Sequence, residues 1–594
     1  MASLEDSRSS HTIVRFGAFE LDGGAGELRK EGARIRLQKQ PLQILQILLE
    51  QPGKIIPREE LQRRLWPSET FVDFDHGINN AIKRLREALG DTAETPRYIE
   101  TVPRRGYRFI GTVNVPAEPG ASGIRSVAVL PLENLSDDPE QEYFADGLTE
   151  GLITNLAKIR ALRVVSRTTA MHYKKVHRPL PEIARELQVD GIVEGTVLRS
   201  GDRVRISAQL IDARTDSHIW AESYERDLRD ILALHSELAR AIAGQIQIAV
   251  TPGEHLQLGR ARRVDPEAYE AYLKGRHHWN RRTSGDLKKA IEYFRQVIEK
   301  EPNYAAAHTG LADCLGRAGF WSFASPEEAC CKAKAVALKS LEIEETAEAR
   351  VSLGWAVMHY EWDLVAAERD FQRAIEQNSS YATAHQSYGH CLGCMGRFEE
   401  AYKEFERAIQ LEPVGLIINT SYAGFLWLGR RWDQAIEQTK KTLDLDCHFA
   451  AGFWALARSY DAKGMPESAI PYAEEAVKLA PATPFFVADL AHAHASSGNK
   501  KEARKGLDRL NDLGSRGYVD PCLIAHVYVA LGEREEAYGC LERALQDRSA
   551  WVPHLPMDPW FDTIRDDARF RNLLQRAGLL SPVGRSKREE SEVV

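Results

Sequence analysis

The feature that most limits how this chain can fold is a repeat of 34 residues in its C-terminal half. Two sets of small residues recur at this step: Ala401, Ala435, Ala469, Ala503 and Ala537, and Gly389, Ala423, Ala457 and Ala491. From about residue 265 onward the apolar pattern is helical, with almost no strand-type alternation. Small residues at a fixed step let paired helices pack closely, so this half is predicted to be a stack of helix pairs.

This pattern resembles the tetratricopeptide repeat. About eight units are predicted within residues 265–580, beginning near 271, 305, 348, 382, 416, 450, 484 and 518. The second interval is 43 residues long, which predicts an insertion of about nine residues around 320–325. The resemblance implies a superhelix whose concave face binds a protein segment, and Asn419 and Arg458 are candidate residues of that face.

The N-terminal region mixes short strands with helices. Alternating residues predict strands at 16–21 and 27–37, and helices are predicted at 41–51, 58–66 and about 75–89. The third helix is closed by Gly90, a helix C-cap signal. One of its faces is apolar, with Ile78, Ile82, Leu85 and Leu89.

The opposite face of this third helix carries chemistry suited to DNA. It presents Asn79, Asn80, Lys83, Arg84 and Arg86. Asn pairs with adenine edges in a major groove, and Arg or Lys pairs with guanine and phosphates. A strand, a tight turn and a strand follow, over 97–102, 103–106 and 107–110. The turn carries Arg104 and Arg105, which would reach phosphates or a minor groove.

Several blocks in this region resemble the OmpR/PhoB-type winged-helix effector domain, namely 85–91, 98–102 and 105–109. The resemblance covers residues 12–113 and implies that they bind double-stranded DNA. By position it assigns the recognition helix Asn79, Asn80, Lys83, Arg84 and Arg86, and the wing Arg104 and Arg105. It also implies pairing of two copies on direct repeats. Gly77 and Ala81 depart from the Arg or His that relatives often carry, so base preference does not transfer. Because no receiver domain precedes the winged helix, an aspartyl phosphorylation switch is not expected.

Residues 124–250 follow a Pro/Gly/Ser-rich linker at 114–123 and are predicted to form an α/β domain. Strands are predicted at 126–131, 164–165, 191–198, 204–211 and 218–224, and helices at 146–156 and 181–187. The pattern resembles the N-terminal α/β domain of the TolB type, which implies protein contacts. Five acidic residues could bind a divalent cation, but a solvated loop and a helix N-terminus are the favoured reading: Asp137, Asp138, Glu140, Glu142 and Asp146.

The charge distribution and the cysteine content indicate the type of protein and its compartment. The net charge is −8, yet residues 11–116 carry 17 Lys/Arg against 14 Asp/Glu, so a basic head precedes an acidic body. All eight cysteines lie beyond residue 313 without the density of a disulfide scaffold. Cys391 and Cys394 form a lone C-x-x-C, for which packing is favoured over metal binding. Without a signal core or a long apolar run, a cytoplasmic protein with no membrane contact is expected.

The prediction is therefore a multidomain α+β chain: a winged helix, an α/β domain, an all-α tetratricopeptide superhelix and a disordered tail at 581–594. Its predicted function is sequence-specific transcriptional regulation, with DNA and a protein on the array as partners. The alternative is an interaction scaffold whose winged helix no longer reads DNA. An enzyme within 124–250 is not expected, because no nucleophile elbow or phosphate loop occurs there. No cofactor or metal site is predicted.

Overall fold

The computed structural model describes residues 13–16, 19–22, 27–30, 33–35, 37–50, 54–65, 74–93, 96–103, 105–111, 113–114, 124–136, 138, 141–176, 178–246, 248, 250–251, 263–281 and 283–580. The chain divides into two compact units, Met1–Ser122 and Gly123–Val594. The predicted tail at 581–594 and most of the predicted linker lie outside the described residues.

The first unit opens with an antiparallel sheet in the order β4-β3-β2-β1-β8. Its strands are β1 (Ile13–Phe16), β2 (Phe19–Asp22), β3 (Glu27–Lys30), β4 (Ala33–Ile35) and β8 (Val113–Asn114). The single strand predicted over 16–21 is wrong, because Phe16 pairs with Phe19 across a reversal. Both rings thereby reach the same core, where their centroids lie 5.5 Å apart. A continuous strand would have placed them on opposite faces.

The described part of this unit also contains three helices and a second small sheet. The helices are α1 (Lys39–Glu50), α2 (Arg58–Leu65) and α3 (Phe74–Leu89). The sheet has the order β5-β7-β6, from β5 (Ile55–Ile56), β6 (Ile99–Val102) and β7 (Gly106–Phe109). The apolar faces of α1 and α3 meet in one core together with Phe16 and Phe109. The three predicted helices are confirmed, each within a few residues of its predicted limits.

The second unit begins with a mixed sheet in the order β11-β9-β12-β13-β14. Its long strands β12 (Gly191–Ser200), β13 (Arg203–Asp212) and β14 (Ser217–Asp227) are antiparallel. The short strands β9 (Ser126–Val129) and β11 (Arg163–Val164) are parallel to their neighbours, and β10 (Glu133–Asn134) pairs with β12.

Within the residues that the structure describes, four helices accompany this sheet: α4 (Glu142–Leu156), α5 (Arg167–Met171), α6 (Leu180–Leu187) and α7 (Ile231–Gln245). The sequence analysis did not predict α7, although Ile231, Leu234, Leu238 and Ile242 recur at helical spacing and are fully buried. The core beneath α4 and α7 continues into Tyr269 and Leu273 of the first repeat helix. The sheet domain and the array therefore share one apolar core.

The array consists of eight helix pairs. They are α8 (Pro266–Arg281) with α9 (Ser284–Lys300), α10 (Ala305–Phe320) with α11 (Pro326–Ile343), α12 (Ala347–Ala356) with α13 (Leu364–Gln377), α14 (Ala382–Cys394) with α15 (Phe398–Leu411), α16 (Leu416–Leu428) with α17 (Trp432–Leu445), α18 (Ala450–Ala462) with α19 (Pro466–Leu479), α20 (Pro484–Ser496) with α21 (Lys500–Arg516), and α22 (Pro521–Leu531) with α23 (Arg534–Gln546). The described residues of the array thus form as many helix pairs as the units that were predicted. The two helices of the second repeat, which carries the predicted insertion, are 16 and 18 residues long.

The helix pairs end at Gln546, whereas the array was predicted to run to residue 580. Two short 3₁₀ turns follow, Val552–His554 and Pro559–Ile564, and then α24 (Ala568–Arg576). Residues 549–565 are called the C-terminal segment below. None of the helices in the described part of the chain is both long and apolar enough to cross a bilayer.

Candidate nucleic-acid interface and repeat groove

Helix α3 has one buried and one exposed face. Ile78, Ile82, Leu85 and Leu89 are at most 3% exposed. The helix ends as predicted at Gly90, whose φ of +63° is the left-handed conformation that glycine adopts at helix C-termini. The opposite face carries the five predicted side chains, of which Asn79, Asn80, Lys83 and Arg84 are exposed and Arg86 is half-buried. Arg84 donates a hydrogen bond to Gln38 ahead of α1.

Asn79 is held by two side chains from other elements. Its Oδ1 accepts hydrogen bonds from Arg58 Nη2 at 3.0 Å and from the Tyr107 hydroxyl at 2.9 Å. The Arg58 guanidinium also lies over the Tyr107 ring, 5.2 Å from its centroid. The start of α2, the exposed face of α3 and strand β7 are therefore joined at one point. Arg58 and Tyr107 were not among the predicted site residues, since their spacing in sequence carries no signal.

Arg86 joins α3 to the hairpin that follows it. Its Nη2 donates to the main-chain oxygen of Ile99 at 2.7 Å and to Thr101 Oγ1 at 2.9 Å. These contacts fix strand β6 against the C-terminal end of α3. Arg86 therefore differs from Asn80 and Lys83: its side chain is engaged within the domain, whereas theirs are exposed.

Asp91 fixes the connection between α3 and β6. Its carboxylate accepts backbone N–H bonds from Thr92 at 3.0 Å, Arg97 at 2.6 Å, Tyr98 at 3.1 Å and Ile99 at 2.8 Å. A buried carboxylate with this many donors is well satisfied. These hydrogen bonds join the C-terminal end of α3 to the start of β6.

The hairpin turn is closed by the Arg105 N–H, which donates to Val102 O at 3.0 Å. Arg105 is exposed, as predicted, and Arg104 lies outside the described residues. Gly106 has a φ of +142°, and a Cβ there would lie 2.0 Å from Ile56 O. Only glycine fits this close approach of β7 to β5.

A cleft of about 420 Å³ lies between α3 and the hairpin. Arg58, Lys83 and Arg86 line it together with Glu87 and Asp91. Arg58, Arg86 and Asp91 all hold hydrogen bonds within the domain, so Lys83 and Glu87 are the exposed charged side chains of the lining.

The inner face of the array, formed by the first helices of its pairs, is contacted by the C-terminal segment. Trp551 Nε1 donates to Phe320 O in α10 at 3.0 Å, and the Trp560 ring lies 5.4 Å from that of Trp427 in α16. His526 Nε2 of α22 lies 2.9 Å from Asp558 Oδ2. The C-terminal segment therefore contacts helices from the second repeat to the eighth.

Two residues were predicted for this face. Arg458 lies on it, whereas the side-chain amide of Asn419 is used for hydrogen bonds to the main chain. The Arg458 guanidinium lies 3.9 Å from the centroid of Trp427 and 4.4 Å from that of Trp560. Its Nε is 3.3 Å from Asp489 Oδ2. Asn419 Nδ2 instead donates to main-chain oxygens at the start of its own helix.

Beside the C-terminal segment a mostly apolar cavity of about 660 Å³ remains on the inner face. Aromatic side chains form much of its wall, among them Phe320, Trp355, Phe425, Trp454 and Trp551. Burial lowers the pKa of His390 well below its ordinary value and that of His554 to about 4, so both imidazoles at this cavity are neutral at pH 7.

The acidic run and the C-x-x-C pair occupy ordinary positions. Lys174 pairs with both Glu142 and Asp146, and Asp138 is exposed, whereas Asp137 and Glu140 lie outside the described residues. Cys391 and Cys394 are buried in the array, and Cys391 Sγ lies 3.3 Å from Leu364 O. Both residues are free cysteines within the packed core of the array.

Comparison with known families gives a match for each part of the chain. Residues 32–109 match the family described as "Transcriptional regulatory protein, C terminal". The N-terminal unit therefore contains a region similar to this family. Residues 123–241 match "HilA/YgeH-like transcriptional regulator, second domain", and tetratricopeptide-repeat families match 272–319, 382–414 and 450–483. The predicted OmpR/PhoB-type domain and repeats are confirmed. The TolB-type resemblance of 124–250 is not supported by these matches and stays a prediction.

Individual relatives cover the chain to different extents. A "Putative adenylate cyclase 3" of Rhizobium meliloti is 39% identical over 198 residues, which is 33% of either chain. "Transcriptional regulator HilA" of Salmonella typhi is 23% identical over 392 residues, 65% of this chain and 68% of that one. The Klebsiella pneumoniae RstA DNA-binding domain, solved in complex with the RstA box, is 30% identical and covers 17% of this chain and 98% of that chain, with a TM-score of 0.16. The chain thus spans only a third of the cyclase relative's length.

Proposed function

We propose that this chain is a DNA-binding transcriptional regulator whose repeat array receives a protein partner or signal. The observation that carries the proposal is the division of α3. One face is buried in the core, and the other presents Asn80, Lys83 and Arg84 beside a cleft lined by cationic side chains. A helix of this kind, backed by its own domain, can enter a major groove without losing its packing.

The side chains have different roles in this proposal. Asn80, Lys83 and Arg84 contact base edges and phosphates, because they are exposed on the side of α3 that faces away from the core. Arg105, with Arg104, contacts the backbone or the minor groove from the hairpin turn. Asn79 and Arg86 hold hydrogen bonds within the domain, so their first role is to position α3 and the hairpin.

The test is selection of bound sequences from random duplex DNA with the full chain. We expect enrichment of a recurring motif, and its loss in a Lys83→Ala/Arg84→Ala variant. Arg34→Ala is the matched control, because it removes an exposed arginine from β4 without touching α3 or the hairpin. A scaffold whose winged helix no longer reads DNA would show no enrichment even at low salt, where phosphate contacts are strongest.

The array serves as the input surface in this proposal. The C-terminal segment already occupies part of the inner face, so a partner would bind at the remaining apolar cavity or displace the segment. Partner binding can alter DNA output only if it favours one of two states of the protein. A DNA affinity and a promoter output that do not depend on any partner would contradict this input role.

Pairing of two copies on direct repeats is also part of the proposal, as the winged-helix resemblance implies. Sedimentation of the full chain with a selected motif should give two chains per duplex. A single half-site should then bind one chain.

A further inference from the structure

Three buried histidines from distant parts of the chain meet on the inner face of the array. His359 follows α12, His390 belongs to α14, and His554 belongs to the C-terminal segment. One ring nitrogen of each lies within 4.8 Å of the others. His390 Nε2 and His554 Nε2 are 2.8 Å apart. These two nitrogens are at hydrogen-bond distance, and the third ring reaches the same point.

The second nitrogen of two of these rings faces a main-chain oxygen. His359 Nδ1 is 3.0 Å from Trp355 O, and His554 Nδ1 is 3.3 Å from Trp551 O. A carbonyl only accepts hydrogen bonds, so the proton of each neutral ring sits on Nδ1 and the lone pair on Nε2. Metal-binding histidines are oriented by this type of bond. His359 Nε2 is also buried without a hydrogen-bond partner.

The surroundings select the kind of ion. Three neutral nitrogen donors without a carboxylate suit a borderline transition metal and not magnesium or calcium, which require oxygen ligands. Phe320, Trp355 and Phe425 pack around the cluster, and the Arg317 guanidinium lies 3.4 Å from the Trp355 centroid.

The geometry requires only small ring movements. Zinc–nitrogen bonds of about 2.0–2.1 Å place tetrahedral ligands about 3.4 Å apart. This separation lies between the 2.8 Å contact of His390 with His554 and the 4.8 Å limit of the cluster. His390 and His554 also line the apolar cavity, so a fourth coordination position would open towards it.

We propose that His359, His390 and His554 bind one zinc-type divalent ion, which pins the C-terminal segment to the third and fourth repeats. The site has three protein ligands and an open position, filled by water or by a group of a molecule in the cavity. Since the ligands meet only when the C-terminal segment lies on the inner face, the ion binds that state alone and stabilises it by mass action. This site does not depend on DNA reading.

The test uses the full chain, stripped with a chelator and titrated with Zn²⁺ and with Co²⁺ as a spectroscopic probe. We expect one ion per chain, four-coordinate cobalt absorption bands and a rise of several degrees in the thermal midpoint. Zinc X-ray absorption should show nitrogen neighbours at about 2.0 Å and no sulfur at about 2.3 Å. His554→Gln and His359→Gln should each weaken binding by more than about 100-fold, beyond the effect typical of outer-shell changes.

Two controls make the result decisive. His308→Asn changes another buried histidine, whose Nε2 faces Pro302 O, and should bind the ion as wild type does. Cys447→Ser removes the exposed Cys447–His448 pair, which is an alternative surface site. Unchanged stoichiometry in folded His554→Gln, binding lost only in Cys447→Ser, or no binding by wild type at 100-fold excess of ion over about micromolar protein would each overturn the proposal.

Discussion

The Trp551 indole N–H donates to the main-chain oxygen of Phe320 at 3.0 Å, and the two rings stack with centroids 5.2 Å apart. The partners are 231 residues apart in sequence. Repeat arrays usually contact only nearest neighbours, so their units gain little from distant ones. Here the C-terminal segment joins the second repeat to the last, and the array should unfold more cooperatively than its repeats alone would.

Trp551→Ala should destabilise the second unit by about 3–5 kcal/mol, as for other large buried aromatics. Trp551→Phe keeps the ring stack and loses only the hydrogen bond, so it should cost about 1 kcal/mol. Urea unfolding of the full chain, followed by far-UV circular dichroism, measures both. Val365→Ala is the control, because Val365 is 63% exposed and should have almost no effect. Equal losses for the two Trp551 variants would contradict the role of the ring stack.

Lys83 and Arg86 lie on the same helix but should respond differently to mutation. Lys83→Ala should lower the slope of log affinity against log salt by about 1, the value for one phosphate contact, without changing domain stability. Arg86→Ala removes the bonds to Ile99 and Thr101 and should cost about 1–3 kcal/mol locally. Fluorescence anisotropy on a selected motif gives the slope, and hydrogen exchange of β6 gives the stability. Faster β6 exchange in Lys83→Ala would contradict this division.

Two glycines of the N-terminal unit should differ in their tolerance of a methyl group. Gly106→Ala places Cβ against Ile56 O, so β7 and β5 must separate, at a cost of several kcal/mol. In Gly90→Ala the new Cβ meets no atom within 4 Å. The only cost is the backbone strain of a non-glycine residue at a φ of +63°, about 1 kcal/mol. Hydrogen exchange across 96–111 compares the two. If Gly90→Ala loosens the hairpin as much as Gly106→Ala does, the close approach is not what holds it.

Periodic features of the sequence predicted the architecture well, because they reflect local physics. The 34-residue step identified the eight helix pairs, and the apolar stripe of α3 identified which of its faces is buried. The same stripe defined the exposed side chains Asn80 and Lys83.

Contacts between distant residues left no such signal. Trp551-Val-Pro-His554 has neither helical nor strand periodicity, and its rings contact side chains of the second, fourth and fifth repeats. The histidine cluster combines positions 359, 390 and 554 without any ligand spacing. The hydrogen bond from Arg58 to Asn79 depends on how α2 packs against α3. Neither segment specifies this packing alone.

Asp520 makes the stability of the second unit depend on pH. The carboxyl is fully buried and caps α22, and both of its oxygens lie 2.7 Å from the Ser549 hydroxyl, which donates its one proton to them. Burial raises its pKa from the ordinary 3.8 to about 6, although the Ser549 bond opposes this.

Between these two values the folded state holds a proton that the unfolded state has released. The stabilisation is therefore complete below pH 3.8 and is lost as the pH rises through about 6. The difference corresponds to about 3 kcal/mol.

Asp520→Asn keeps an acceptor for both partners and cannot ionise. We therefore expect this variant to gain about 3 kcal/mol relative to wild type between pH 4 and pH 7, measured by urea unfolding at each pH. The control is Asp508→Asn, at an exposed position of α21. Its free energy of unfolding should change with pH in the same way as that of wild type. A constant difference between Asp520→Asn and wild type across this range would mean that the buried carboxyl stays ionised and that another group neutralises it.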